Sequence, residues 1–192
     1  RFVQLCPSPR PRLARKVEMF QWVQHEHSET QKKLGGGTET VKTYTYEKEW
    51  SEHPVNSGSF KVADGHVNPG SMPVQGSELV AANVTLGAFR LPPRLVARAG
   101  HEEALPVDAS IMAKITPALQ GKAKIMGGQI FVGYDASRPA VGDLRVTFHA
   151  VKPATVSIVS VQKGDTFEPF KAKAGSEVEL LEQGSVPAAM MF

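Results

Sequence analysis

Two runs, "VEMFQWVQHEH" (17–27) and "ETVKTYTYEKEW" (39–50), stand either side of "KKLGGGT". Both are rich in aromatic and β-branched side chains, and the three glycines supply the positive φ angles that a chain reversal requires. The pattern predicts a long antiparallel hairpin. A turn centred on Gly36 would set Trp22 opposite Trp50. Strand geometry puts Tyr44, Tyr46 and Trp50 on one face of the second strand, with Thr45, Glu47 and Glu49 on the other. In the first strand Val17, Met19 and Val23 share a face while Phe20 and Trp22 share the opposite one, so part of it is expected to be covered on both sides. A hairpin of this length commits the chain to a sheet-based core.

The remaining segments fit that frame. Residues 51–77 are dense in Gly, Pro, Ser and Asn and read as a long surface loop with at most short strands. "ELVAANVTLGAF" (78–89) returns to strand. "LPPRLVARAG" (91–100) is the best helix signal: prolines at its start, Leu95, Val96 and Ala99 at helical spacing, Gly100 as a stop. "KAKIMGGQIFVGY" (122–134) predicts paired strands or one bulged strand around Gly127 and Gly128. In "DLRVTFHAV" (143–151), Leu144, Val146, Phe148 and Ala150 take one face; "KPA" would turn the chain into "TVSIVSVQ" (155–162) as its partner. "DTFEPF" and "EVELLEQG" add two short strands around "KAKAGS". No repeat period is present. The expected fold is mainly β, an antiparallel barrel or sandwich with one short helix.

Charge divides the chain unevenly. Arg1, Arg10, Arg12, Arg15 and Lys16 fall in the acid-free residues 1–16; the remaining 17 bases face 19 acids, a net of −2. This predicts a basic, proline-containing arm (1–16) and a single domain (17–192). The arm suits weak contact with anionic lipid, and the acidic body argues against a nucleic-acid partner. Cys6 is the only cysteine, which excludes intrachain disulfides and cysteine-rich zinc sites. No run reaches the length of a membrane span, and no signal-peptide pattern is present. The start at Arg1 and the apolar "VPAAMMF" end suggest a fragment of a longer protein.

For chemistry the residues offer little. His25 and His27 would share a strand face with Glu29, at workable metal-ligand spacing, but so short a pattern recurs by chance. His53, His66 and His101 have no fixed spacing. Cys6 lacks a positioned base, and there is no nucleophile motif. "GGG" (35–37) precedes a strand, not the helix N-terminus that holds phosphate. The pairs Glu47/Glu49 and Glu102/Glu103 read as solvated. Tyr44, Tyr46 and Trp50, with Lys42 and Lys48 on their face, could stack bases; a core wall explains them more simply. No catalytic, cofactor-binding or metal-binding residue is assigned, no cofactor is expected, and an enzyme has little support. A ligand-binding or metal-assisted hydrolytic domain using the histidines is the alternative.

"VEMFQWVQHEH", "TYTYEKEW" followed by "NSGSF", "GHVNPGSMPV", "GDLRVTFHAV" and "QKGDTFEPFKAKAGSEVELLEQG" together resemble the transmembrane protein 43 (LUMA) family, in order over residues 16–186. That resemblance implies the region between an N-terminal transmembrane helix and a C-terminal cluster of them, and an oligonucleotide-binding-like barrel as a variant of the β fold. It further implies a non-enzymatic scaffold, interaction or membrane-sensing domain. In animals the region is lumenal, and the family is linked to emerin and lamins. The composition and glycine-rich turn suit a bacterial relative, for which those partners do not carry over and a periplasmic, extracytoplasmic placement is implied. No catalytic residues transfer.

Overall fold

The structure is a computed structural model that describes residues 10–115, 119, 121–152, 154–173 and 175–191. In chain order it contains β1 (Arg12–Lys32), β2 (Thr38–Ser51), β3 (Ser77–Val80), β4 (Val84–Leu86), β5 (Phe89–Leu91), α1 (Pro93–Arg98) and β6 (Glu102–Ala104). Then follow β7 (Ala123–Met126), β8 (Gln129–Val132), β9 (Leu144–Val151), β10 (Val156–Val159), β11 (Val161–Lys163), β12 (Thr166–Glu168), β13 (Phe170–Lys171), β14 (Glu177–Val178) and β15 (Leu180–Gln183). The fold is mainly β, its strand pairs are antiparallel, and α1 is its short helix. The main sheet runs β2-β1-β9-β8-β7 and ends at open strands, so the described residues form no closed barrel.

Two compact units are distinguished. The first takes its described residues from 10–15, 77–105 and 148–191; the second comprises 16–76 and the described part of 106–147.

In the second unit the hairpin forms as expected, from Met19 opposite Ser51 to Lys32 opposite Thr38. Its turn is centred on Gly35, with Lys33 N–H donating to Gly37 O (3.1 Å) and Gly36 N–H to Lys33 O (3.2 Å). Gly35, Gly36 and Gly37 have φ of 120°, 91° and 96°, which only glycine adopts without strain. Moving the centre by one residue slips the pairing by two. The expected Trp22–Trp50 pair is therefore corrected: Trp22 faces Lys48 and Phe20 faces Trp50, while every side chain keeps its face. Gly127 and Gly128, both at positive φ, close the two-residue turn of the β7–β8 hairpin. β8 then pairs with β9, Ile130 opposite Val146. Val17, Met19, Ile130, Phe131, Val132, Leu144 and Val146 are buried.

The first unit is assembled from shorter pieces. β1 begins at Arg12, so the last five residues of the expected basic arm are strand, and Arg12–Arg15 pair with β3. The stretch 78–89 is broken into β3, β4 and the start of β5, with Gly87 (φ 58°) in the β4–β5 turn. Helix α1 starts at Pro93, where a missing N–H costs nothing, and buries Leu95 and Val96 beside Leu91. Val80, Val84, Leu86, Ile158, Phe167 and Leu181 pack around them. Arg94 of α1 makes two bonds of 2.9 Å to the carboxylate of Glu179 and a third, of 2.7 Å, to Phe167 O. Arg98 donates to Glu179 O (2.9 Å), and these charge-assisted bonds clamp the helix.

One expected pairing is wrong. Residues 143–151 do not pair with 154–162: β9 lies beside β6 and β8, while β10 pairs with β15, Ile158 opposite Leu181. Both of those side chains join the Leu91–Leu95–Val96 core, and that burial outweighs the short loop that made a hairpin attractive.

Candidate functional site

Three places in the molecule gather chemistry-bearing side chains. The first is the aromatic face of β1 and β2. Trp50 packs on Phe20 (ring centroids 5.2 Å apart) and, edge-on, on Phe131 (6.5 Å). The Arg145 guanidinium lies 4.7 Å from the Trp50 ring centroid while it grips both oxygens of Glu18, at 2.8 and 2.9 Å. Tyr46 stacks on His66 at 4.1 Å and touches Phe60 at 5.8 Å; Trp22 meets His66 edge-on and Lys48 by cation–π contact, both at 4.7 Å. Phe60 and His66 come from the loop after β2, so a folded-over loop covers Tyr46 and Trp22. Tyr46 and Trp50 of the aromatic row are thus packed against other side chains, as in a wall.

That loop is held by side chains that stand in for strand partners. Asn68 Oδ1 accepts from Trp22 N–H (2.7 Å) and its Nδ2 donates to Trp22 O (2.8 Å), continuing the ladder where no strand does. Gln21, fully buried, donates to His53 O (2.7 Å) and accepts from Val55 N–H (2.9 Å). The Tyr46 hydroxyl accepts from Val62 N–H and donates to Gln24, whose Oε1 also accepts from Lys61 N–H. The sequence reading missed Gln21, Gln24 and Asn68. Gln21 did leave a signal: it is the polar position on the Val17–Met19–Val23 face.

The second place is on the opposite face of the hairpin. His25, Glu47 and Glu49 bring ligand atoms within 4.8 Å of one another, with His25 Nε2 bonded to Glu49 Oε1 at 2.8 Å. Among the described residues this is the group able to hold a metal ion, and it is exposed. His27, weighed with His25 for its spacing, is not in it; nor is Glu29. His53 and His66 belong to the covering loop, and His101 precedes β6. Cys6 lies outside the described residues. Glu102 bonds Arg12 (3.0 Å), and Glu103 bonds Lys152, which holds the Glu103 carboxyl below the usual range.

The third place is a cavity of about 230 Å³ inside the first unit. Its walls are apolar, among them Val84, Leu86, Leu91, Val151 and Val156, and two cationic residues, Arg10 and Lys152, border it. Gly100 (φ 79°) also lines it: a Cβ there would collide with the Val151 side chain, so any larger residue would disturb the wall.

The architecture is that of a mainly antiparallel β domain with no helix, among the described residues, long and apolar enough to cross a membrane. The family model described as "Transmembrane protein 43" matches residues 19–192, and the chain belongs to that family. It is 31% identical to transmembrane protein 43 of Homo sapiens over 195 residues, covering 96% of this chain and 47% of the relative. The Mus musculus protein is 30% identical over 194 residues with the same coverage, and the Drosophila melanogaster homolog 28% over 187, covering 94% and 47%. The chain thus spans about half the length of the curated relatives it matches. No solved structure matches.

Proposed function

We propose that the chain is the extracytoplasmic interaction domain of a membrane protein, a non-enzymatic scaffold that receives an extended segment of another polypeptide by strand addition. The observation that carries this is the outer half of the β1–β2 hairpin. From His25 to Lys32 every residue of β1 is exposed, as are Thr38–Thr43 of β2, so this ribbon has neither face buried. β2 is also an end strand of the sheet over 14 residues. A two-stranded ribbon is marginal in water by itself, and an open strand edge is a template for a partner strand. Lys32, Lys33 and Lys42 are balanced within 25–45 by Glu26, Glu29 and Glu39, with Lys42 bonded to Glu26 (2.6 Å) and Lys33 to Glu39 (3.3 Å). Neither nucleic acid nor an anionic bilayer is favoured by so neutral a surface, whereas backbone pairing needs no net charge.

The test replaces Ser28–Lys42 by Asn-Gly in the membrane-anchored parent, which leaves the base of the hairpin paired. Crosslinking to protein neighbours should be lost while the melting temperature of the domain stays within a few degrees. An unchanged set of crosslinked neighbours would overturn the reading. The same reading gives residues 1–16 a weak, salt-sensitive contact with anionic lipid, although Arg12 is committed to Glu78 (3.2 Å) and Glu102 (3.0 Å).

A second reading, metal binding, is favoured by the His25–Glu47–Glu49 trio alone. Zinc titration read at the His25 ring by NMR decides it. Saturable binding at micromolar zinc that His25→Ala abolishes would support the trio; weak, unsaturable shifts would remove it.

A further inference from the structure

We propose that the cavity of the first unit binds a small amphipathic anion, its alkyl chain among the apolar walls and its carboxylate or phosphate at Arg10 and Lys152. This goes beyond the scaffold reading and does not depend on it. The volume, about 230 Å³, exceeds the ~150 Å³ of an apolar cavity that accepts benzene, so a chain of medium length has room. Val84, Leu86, Leu91, Val151 and Val156 offer such a chain apolar surface. Binding apolar groups alone would give no reason for the charges.

Those charges are placed for an anion. Arg10 borders the cavity and brings its guanidinium charge there, where apolar walls leave little solvent to screen an anion's attraction to it. Lys152 is more than half exposed and bonds Glu103. Arg10 also acts on Glu103, contributing to the lowered pKa of that carboxyl. Lys152 is thus the cation paired with Glu103, and Arg10 acts on that carboxylate from farther off. Glu103 is in effect an internal competitor: an anionic head must draw Lys152 away from it. Removing the Glu103 charge should therefore strengthen binding of an anion and leave a neutral alkyl ligand untouched, a sign that a merely structural ion pair would not produce.

The experiment titrates the 192-residue chain with octanoate, octyl phosphate, octylamine and octyl glucoside, following the methyl resonances of Val84, Val151 and Val156. Octanoate or octyl phosphate should shift all three saturably, and whichever binds more tightly identifies the head group as carboxylate or phosphate. Octylamine should bind at least tenfold more weakly, since it would meet like charge. Lys152→Gln and Arg10→Gln should each weaken anion binding about tenfold, and Glu103→Gln should tighten it several-fold. Ala154→Trp, at an exposed position bordering the cavity, should block every ligand without entering the core. Equal affinity for octylamine and octanoate, an unaltered affinity in Glu103→Gln, or no methyl shift at millimolar ligand would each overturn the proposal.

Discussion

The two units solve the same problem with different materials. The second builds its sheet from long strands: β1 and β2 share fourteen register pairs, and Gln21, Gln24 and Asn68 sew a loop onto them. The first is made of pairs two to four residues long around one short helix, with Leu95 and Val96 wholly buried and Arg94 clamped on Glu179. Long ladders distribute stability over many backbone bonds and tolerate a polar seam. Short ladders cannot, so burial of a few apolar side chains must dominate in the first unit, and its cavity sits beside that core. Truncating apolar groups should injure the first unit most, and removing buried hydrogen bonds the second.

The sharpest way to break this comparison is a pair of truncations. Phe148, in the first unit, is only 8% exposed, and Phe148→Ala should cost about 3–5 kcal/mol. Trp22, in the second, is half-buried under His66, so Trp22→Ala should cost about 1–2 kcal/mol. Equal losses by denaturant titration would refute the contrast. The same experiment tests our proposal that residues 17–192 unfold as one domain. Both tryptophans lie in the second unit, so under that proposal Phe148→Ala should move the fluorescence midpoint and the circular-dichroism midpoint together.

A smaller loss, about 1–3 kcal/mol, is expected for Gln21→Ala, which strips His53 O and Val55 N–H of their partner. Amide exchange should show where it falls: protection at Val55 should drop while that of β8 is retained. Uniform loss across the second unit would mean that Gln21 supports the core rather than the loop. Smaller again is Glu18→Gln, which weakens a part-buried, bidentate pair with Arg145 at about 1 kcal/mol, an effect that should shrink in high salt.

What could be read from sequence follows the same division. Aromatic and β-branched residues either side of three glycines identified β1 and β2, whereas the glycines of "MGGQ" suited a turn or a bulge, and the pairing of Met126 with Gln129 decides for the turn. Proline at the start and glycine beyond the end identified α1. Partner choice between strands distant in the chain was not legible: β10 finds β15 through Ile158 and Leu181, and nothing in either tetrapeptide names the other. The sites were less legible still. His25 was singled out beside His27, but its partners in space are Glu47 and Glu49, which only the register of the opposite strand supplies. Arg10 and Lys152 are far apart in the chain and meet through the cavity that both border.

The smallest expected effect lies at a single turn of the second unit. Asp108 caps the 3-10 turn Ala109–Lys114, its Oδ1 accepting from Ser110 Oγ (2.5 Å) and Ser110 N–H (2.8 Å). Those bonds, the hydroxyl's first, hold the Asp108 carboxyl below its ordinary value of 3.8. A group whose folded pKa is depressed favours the folded form above its unfolded pKa and loses that contribution as pH falls through the folded one. The turn should therefore be intact at neutral pH and loosen only below about pH 4, with the Ser110 amide resonance moving in that window. Asp108→Asn should remove the acid-dependent shift while leaving the neutral-pH fold in place, because an amide oxygen can still accept from Ser110 N–H. If the Ser110 resonance still titrates in the variant, the proton is going elsewhere and the cap is not what holds the turn.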